Sequence, residues 1–278
     1  MKVPKIVLSI AGTDSSGGAG IGADLAVFRE LNLHGCFAIT AMTAQNTTGV
    51  RSIEASSKQF LADQIDMVLE DLDLSAIKTG MLFSAELIEL VALKLKNCAA
   101  PLVVDPVMLA KSKAVLLQKS AISCMKSELI SRAFFITPNL DEAALLVDGE
   151  ISSMDDMKEA ARILQGMGAR NVIIKGGHRE GSEVGDLLLL EAGEFWLIKA
   201  PRIDTKNTHG TGCSHSAALA GFLARGLGAR EAAIFAKRFV HLGILHGHGQ
   251  ALGHGHAPIN WAAYKDNQGI LELGIERL

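Results

Sequence analysis

Asn207-Thr208-His209-Gly210-Thr211-Gly212-Cys213 joins a glycine-rich turn to a run in which Ala218, Leu219, Phe222 and Leu223 recur at helical spacing as far as Arg225. That spacing predicts a helix whose first turn is built from residues 210–213. The first N–H groups of a helix have no partner within it, and the positive end of the helix dipole lies there. Gly210 and Gly212 leave this backbone bare, so a transferring phosphoryl group can approach the donors closely. Cys213 closes the turn, and the same field is expected to lower its thiol pKa, leaving part of it as thiolate near neutral pH. The competing reading is a tight turn beside a small buried cysteine.

Working outward, the chain alternates short apolar runs with helical patterns, the signature of an α/β fold with a mostly parallel sheet. Residues 6–11 form a strand that enters Gly12-Thr13-Asp14-Ser15-Ser16-Gly17-Gly18-Ala19-Gly20 and then a helix over 21–31, with Asp24 in its first turn. Gly18, Gly20 and Ala23 satisfy a dinucleotide-type G-x-G-x-x-A template. The acidic residue that such a site needs after the second strand, residues 36–42, is replaced by Thr43-Ala44-Gln45-Asn46, which argues against it. Ser56 and Gln59 have capping-box spacing before a structural helix carrying Leu61, Ile65, Val68, Leu69 and Leu72. The strand 76–79 runs into Gly80-Met81, a helix follows over 85–95, and the strand 101–105 ends in Asp105.

In open parallel sheets ligands bind beyond the carboxyl ends of strands, so Asp105 is placed to face a metal or a phosphate, unless it is only a turn residue before Pro106. Ala110-Lys111-Ser112-Lys113 is a solvated loop or a flap over a phosphate. The strand 134–138 delivers Asn139 and Glu142 to a helix start, where Asn139 can cap, Glu142 can complete a capping pair, and Glu142 can also hold Mg²⁺ through water. After a helix over 154–167 and a strand over 171–175, Lys175-Gly176-Gly177-His178 puts an ammonium beside a glycine turn, suited to nucleotide phosphates. Residues 187–190 and 195–198 read as a hairpin, and 229–245 as the last long helix. His241, His246, His248, His254 and His256 crowd a glycine-rich segment without a carboxylate or cysteine to complete a metal site, and this segment reads as a loop near the nucleotide.

The 278 residues, 49% hydrophobic and 21% charged, suit a single domain, 1–278, with a large buried core, as does a mean hydropathy of +0.26. A net charge of −3 and a pI near 6.3, without a basic run, give nucleic acid no electrostatic footprint. Cys36, Cys98, Cys124 and Cys213 are too scattered for a disulfide framework or a zinc site, which with the lack of a signal sequence or a membrane-length apolar run suggests the cytoplasm.

Six stretches taken in order resemble the hydroxymethylpyrimidine/phosphomethylpyrimidine kinases of thiamin synthesis over about residues 6–260. They are the loop from Gly12 to Gly20, Thr43-Ala44-Gln45-Asn46-Thr47, Lys78-Thr79-Gly80-Met81, Val104-Asp105-Pro106-Val107, Thr137-Pro138-Asn139, and the stretch quoted first. The resemblance implies a ribokinase-like three-layer fold, a central mostly parallel sheet flanked by helices, and ATP and Mg²⁺ as cofactors. It implies that Asp24, Gln45 and Met81 meet the substrate, Gln45 using its amide donor and acceptor on a pyrimidine edge. Asn139 with Glu142 matches the superfamily's magnesium and phosphate motif, and Lys175, Thr208 and Thr211 join the nucleotide side. Gly210, Gly212 and Cys213 become the catalytic turn, with Cys213 accepting the alcohol proton and Asp105 and Glu142 holding the metal. Relatives are often homodimers. The chain departs from the family pattern at Lys113, Gly22 and His215, which bear on the flap and on substrate preference. Two other functions compete with this one: a pyridoxal kinase, acting on a similar hydroxymethyl group, and a non-catalytic sensor of a heterocycle or nucleotide.

Overall fold

The computed structural model describes residues 4–108, 119–177, 181–267 and 269–278. The expected flap at Ala110-Lys111-Ser112-Lys113, and His178, lie outside the described residues. β1 (Ile6–Ala11) leads through a loop to α1 (Gly20–Glu30), β2 (His34–Ile39), β3 (Ala41–Asn46) and β4 (Gly49–Ala55). Next come α2 (Lys58–Asp71), β5 (Ala76–Thr79), α3 (Ala85–Lys94), β6 (Leu102–Val104) and α4 (Lys119–Cys124). β7 (Phe135–Ile136), α5 (Leu140–Val147), α6 (Met154–Gly166) and β8 (Asn171–Ile174) continue the alternation. β9 (Glu183–Leu189), β10 (Phe195–Pro201), α7 (Thr211–Ala224), α8 (Ala229–Gly247), α9 (Ala263–Asp266) and β11 (Gly274–Arg277) follow.

The main sheet has the order β11-β10-β9-β8-β7-β6-β5-β1-β2, parallel from β2 to β8 and antiparallel over β9, β10 and β11. Side chains alternate across a strand. Val7, Ala76, Val103, Phe135, Ile173 and Leu188 therefore pack with α1, α7 and α8, through Phe28, Phe222 and Phe239. Their neighbours Leu8, Ile77, Val104, Ile136, Ile174 and Leu189 pack with α2, α3, α5 and α6, through Leu61, Ile88, Leu146 and Leu164. Both faces of the sheet are thus covered, which is why its strands read as continuous apolar runs. This is the three-layer arrangement that the sequence implies.

Three local expectations are corrected. The second strand ends at Ile39, not 42, and residues 41–46 instead pair antiparallel with β4 in a separate two-stranded sheet. Ala41 and Thr43 are buried while Met42 and Ala44 are exposed, the alternation of a strand covered on one face only. The cap of α2 is Ser57, whose hydroxyl accepts the Phe60 N–H at 3.2 Å, whereas Ser56 donates to the Ile39 carbonyl at 2.6 Å. Asp24 lies beyond the first turn of α1, which starts at Gly20 and has no acidic residue there.

Candidate active site

Because β1, β5, β6, β7 and β8 are parallel, the loops after them emerge at one edge of the sheet. That edge collects Gly12, Gly80, Asp105, Asn139 and Lys175, and α7 brings its N-terminus to them. Gly210 is the N-cap of α7 with φ 70°, and a Cβ there would collide with the Gly18 carbonyl oxygen. Its glycine requirement therefore comes from the turn and from contact with the N-terminal loop. A Cβ on Gly212, by contrast, would lie 3.4 Å from Lys175 Nζ and 4.0 Å from Asp105 Oδ2. Gly212 is the residue that keeps space open between helix donors and ammonium. Thr211 Oγ1 donates to the Thr208 carbonyl at 3.0 Å, tightening the turn.

Lys175 Nζ meets Asp105 Oδ1 at 3.0 Å, and Ser216 Oγ, one turn into α7, donates to Asp105 Oδ2 at 3.0 Å. Thr137 Oγ1 adds a longer contact to Oδ1 at 3.3 Å. Burial alone would raise the Asp105 pKa, but Lys175 and then Lys78 hold the carboxyl below its usual range. Lys175 is likewise disfavoured as a cation by burial, and Asp105 and Glu142 more than offset that. Asn139 caps α5 in a complete capping box: its side chain accepts the Glu142 N–H at 2.9 Å, and Glu142 Oε2 accepts the Asn139 N–H at 2.8 Å. Burial pushes Glu142 up to about 7 against the pull of Lys175.

Beneath this lies a second pair. Lys78 Nζ contacts Asp24 Oδ2 at 2.8 Å, Ser9 Oγ donates to the same oxygen at 2.5 Å, and neither side chain of the pair is exposed. Burial works against the Lys78 charge, but Asp24 first, and Cys213 and Asp105 with it, raise the pKa above that of an ordinary lysine. Asp24, expected at the substrate, has no exposed surface, so the structure places it under the site as the partner of Lys78. Cys213 is also corrected. Burial, seconded by the Asp24 and Asp105 carboxylates, pushes the thiol up to about 11 despite Lys78, so desolvation outweighs the helix-start field and the group is a thiol near neutrality.

A magnesium ion at this edge would meet two carboxylates, Asp105 and Glu142. Asp105 Oδ1 accepts from Lys175 and Oδ2 from Ser216, which orients the carboxylate toward the ammonium and leaves each oxygen a further lone pair for a cation. Among the described residues no three His, Cys, Asp or Glu side chains converge as a metal cage. Glu142, buried with a raised pKa, is a carboxylate whose charge a cation would stabilise, which fits an ion carried mainly by phosphates and water.

Gln45 on β3 is partly buried and is tied to the N-terminal loop: its N–H donates to Ser15 Oγ at 2.8 Å and its carbonyl accepts from Ser15 Oγ at 2.6 Å. Met81 is buried against Gly12, where a Cβ would overlap its methyl, and its carbonyl accepts from Thr40 Oγ1 at 2.6 Å. The structure brings Lys175, Asp105, Asn139, Glu142 and residues 210–213 together; Gln45 and Met81 border the N-terminal loop beside it.

Several groups receive no role of their own in the sequence reading. Lys78, Ser216, the Asp14–His209 contact at 2.6 Å and the Asp186–Lys237 pair at 2.9 Å are all buried. Asp186 Oδ1 also accepts the Gly176 N–H at 3.1 Å, fixing the turn after Lys175. The signal for Lys78 was present: it is a charge at an inward position of an otherwise buried strand. His256, from the histidine-rich segment, contacts the Lys206 carbonyl at 2.8 Å.

A family model, phosphomethylpyrimidine kinase, matches residues 14–260. The chain is 47% identical over 262 residues to a hydroxymethylpyrimidine/phosphomethylpyrimidine kinase of Bacillus subtilis, covering 94% of this chain and 96% of that protein. It is 46% identical over 255 residues, 91% of its length, to a thiamine biosynthesis bifunctional protein of Geobacter sulfurreducens, of which it spans 51%. Among solved structures, a Staphylococcus aureus pyridoxal kinase in complex with AMP-PCP and pyridoxal superposes with a TM-score of 0.91 at 32% identity, covering 100% of each chain. With its site residues on a ribokinase-like sheet and helices, the chain belongs to the phosphomethylpyrimidine kinase family, a family of phosphotransferases.

Proposed function

We propose that the chain transfers the γ-phosphoryl group of ATP to 4-amino-5-hydroxymethyl-2-methylpyrimidine, and then to the monophosphate it forms, in thiamin synthesis in the cytoplasm. The observation that carries this reading is the Lys175–Asp105 pair beside bare Gly212 at the start of α7, a fixed cation and backbone donors converging on one gap. Phosphoryl transfer has a loose transition state, so positioning and charge neutralisation supply most of the rate. Gly210, Gly212 and Cys213 present their N–H groups to the γ-phosphoryl oxygens, the Thr211 N–H being turned to the Thr208 carbonyl, and Lys175 neutralises the oxygens' charge. A magnesium ion held with the nucleotide near Glu142 would neutralise the β- and γ-oxygens. The alcohol oxygen bonds to phosphorus while the bridging oxygen leaves with ADP, and the alcohol proton goes to Cys213.

Burial pushes the Cys213 thiol up to about 11, so its own proton must first pass to water or hydroxide, and the alcohol proton then goes to the thiolate. If Cys213 is the acceptor, kcat rises with pH above neutrality, and Cys213→Ala lowers kcat by about 10²–10⁴-fold and abolishes that rise. Gln45 hydrogen-bonds the pyrimidine edge and Met81 packs on the ring. The likeness to a pyridoxal-bound pyridoxal kinase supports a second reading, phosphorylation of pyridoxal. An ATP-consumption assay with the pyrimidine, its phosphate and pyridoxal at equal concentration separates them: preference for pyridoxal overturns the first, and no turnover of any alcohol overturns both.

A further inference from the structure

Lys175 follows the last residue of β8, and Asp105 holds the far end of its side chain. The near end is set by the backbone on either side. The Lys175 N–H donates to the Pro138 carbonyl at 2.9 Å, and the next N–H, that of Gly176, donates to Asp186 Oδ1 at 3.1 Å. Gly176 is pressed against β9, since a Cβ on it would lie 2.0 Å from the Gly185 carbonyl oxygen.

Asp186 shares a face of β9 with Leu188, which packs under α7 and α8. Its second oxygen, Oδ2, meets Lys237 Nζ of α8 at 2.9 Å, and both residues are buried. Burial works to raise the Asp186 pKa, and Lys237, ahead of its other neighbours, holds the carboxyl below its usual range. Each oxygen thus serves its own donor, Oδ1 the Gly176 N–H and Oδ2 the ammonium.

We infer that Asp186, braced by Lys237, is a positioning residue for phosphoryl transfer: through the Gly176 N–H it fixes the direction in which the Lys175 side chain leaves the backbone, and so the place of its ammonium beside Gly212. This rests on the reading of Lys175 as a ligand of the γ-phosphoryl oxygens. The lysine stem is flexible, so Asp105 alone leaves the ammonium several positions, and a shift of about 1 Å in a catalytic group costs about a hundredfold in rate.

The test separates the hydrogen bond to Gly176 from the charge of the pair. Asp186→Asn leaves one oxygen for two donors, the Gly176 N–H and the Lys237 ammonium. The ammonium takes it, and kcat should fall about tenfold to a hundredfold with KM for the alcohol unchanged. Adding Lys237→Met returns that oxygen to Gly176 and should bring kcat back to within about threefold of wild type. Asp186→Leu combined with Lys237→Met is equally uncharged but offers Gly176 no acceptor, so its kcat should stay low. In the low-kcat variants AMP-PCP, which carries a γ-group, should lose about tenfold in affinity while ADP loses none.

Wild-type kcat in the folded leucine double variant overturns the inference, as do equal losses for AMP-PCP and ADP. If the leucine double variant does not fold, the two asparagine variants decide, and an asparagine double variant no faster than Asp186→Asn overturns it. If the wild type phosphorylates no alcohol, the substrate reading has failed, and crystal structures of the ligand-free double variants decide the positioning. A Lys175 ammonium displaced in the leucine variant and restored in the asparagine variant supports it, and an ammonium unmoved in the leucine variant overturns it.

Discussion

The Asp24–Lys78 pair sits at 2.8 Å with neither side chain exposed, whereas Lys175 keeps 15% of its side-chain surface open while meeting Asp105 at 3.0 Å. Both pairs join a carboxylate to an ammonium, and both act on Cys213. They differ in what else can reach the ammonium. The sealed ammonium is met by its carboxylate and closed to solvent, so the charges of that pair serve the fold and the local potential. An open pair holds its cation in place against burial and still presents it to an incoming phosphate. The lesson is that a buried lysine in a kinase site is a phosphate ligand only when its shell has a gap, and here Gly212 supplies the gap for Lys175.

The contrast breaks most visibly at Lys78. Replacing it by Met leaves Asp24 buried and unpaired, an expected loss of about 3–5 kcal/mol in denaturant unfolding. Adding Asp24→Asn should recover much of that loss. A Lys78→Met protein as stable as wild type would show that the sealed pair contributes nothing to the fold. Lys175→Met is the converse: kcat should fall by about 10²–10³-fold, as when one transition-state donor is removed, with a smaller change in stability because the site can admit water. A larger stability loss than at Lys78 would erase the distinction.

The Asp186–Lys237 pair, with side chains 6% and 10% exposed, sits between these extremes and adds a pH dependence through its neighbour His215. Burial lowers His215 from 6.5 to about 4, and its Nδ1 has no hydrogen-bond partner among the described residues. A histidine with a depressed folded pKa stabilises the fold above its unfolded pKa, and that stability fades as pH falls toward the folded value. Up to about 3 kcal/mol should disappear between pH 6.5 and 4 on this account, and His215→Leu should flatten that limb of a melting-temperature profile, leaving the share of His241. An unchanged limb removes His215 from the explanation. The smallest effect is expected at Gln45, away from the ion pairs: Gln45→Leu should cost about 1–3 kcal/mol of pyrimidine binding, seen in KM for that substrate and not for ATP.

The sheet was legible because its strands are buried on both faces and its helices carry clear apolar stripes. Asn139 and Glu142 were legible for the same kind of reason, since a capping box is local chemistry. β3 was not, because it belongs to a small sheet with one open face and begins at Ala41, with only Thr40 separating it from β2. At Asp24 and Cys213 the sequence gives position on a helix but not depth. Depth decided both, making one the sealed partner of Lys78 and the other a protonated thiol. Ion pairs such as Asp105–Lys175, 70 residues apart in the chain, cannot be read from spacing at all.

α7 packs on α1, β1, β5 and β6, all of which precede it by more than a hundred residues. On a ribosome, β5 is therefore complete on the order of ten seconds before the helix that covers Lys78 has been made. During that interval the nascent sheet presents a charged lysine and bare apolar surface to water, to chaperones and to other chains. Fragments stopped before residue 211 should accordingly be open to proteases, and closure of the layer should be a late, long-range event in refolding, slow because its contacts span so much chain.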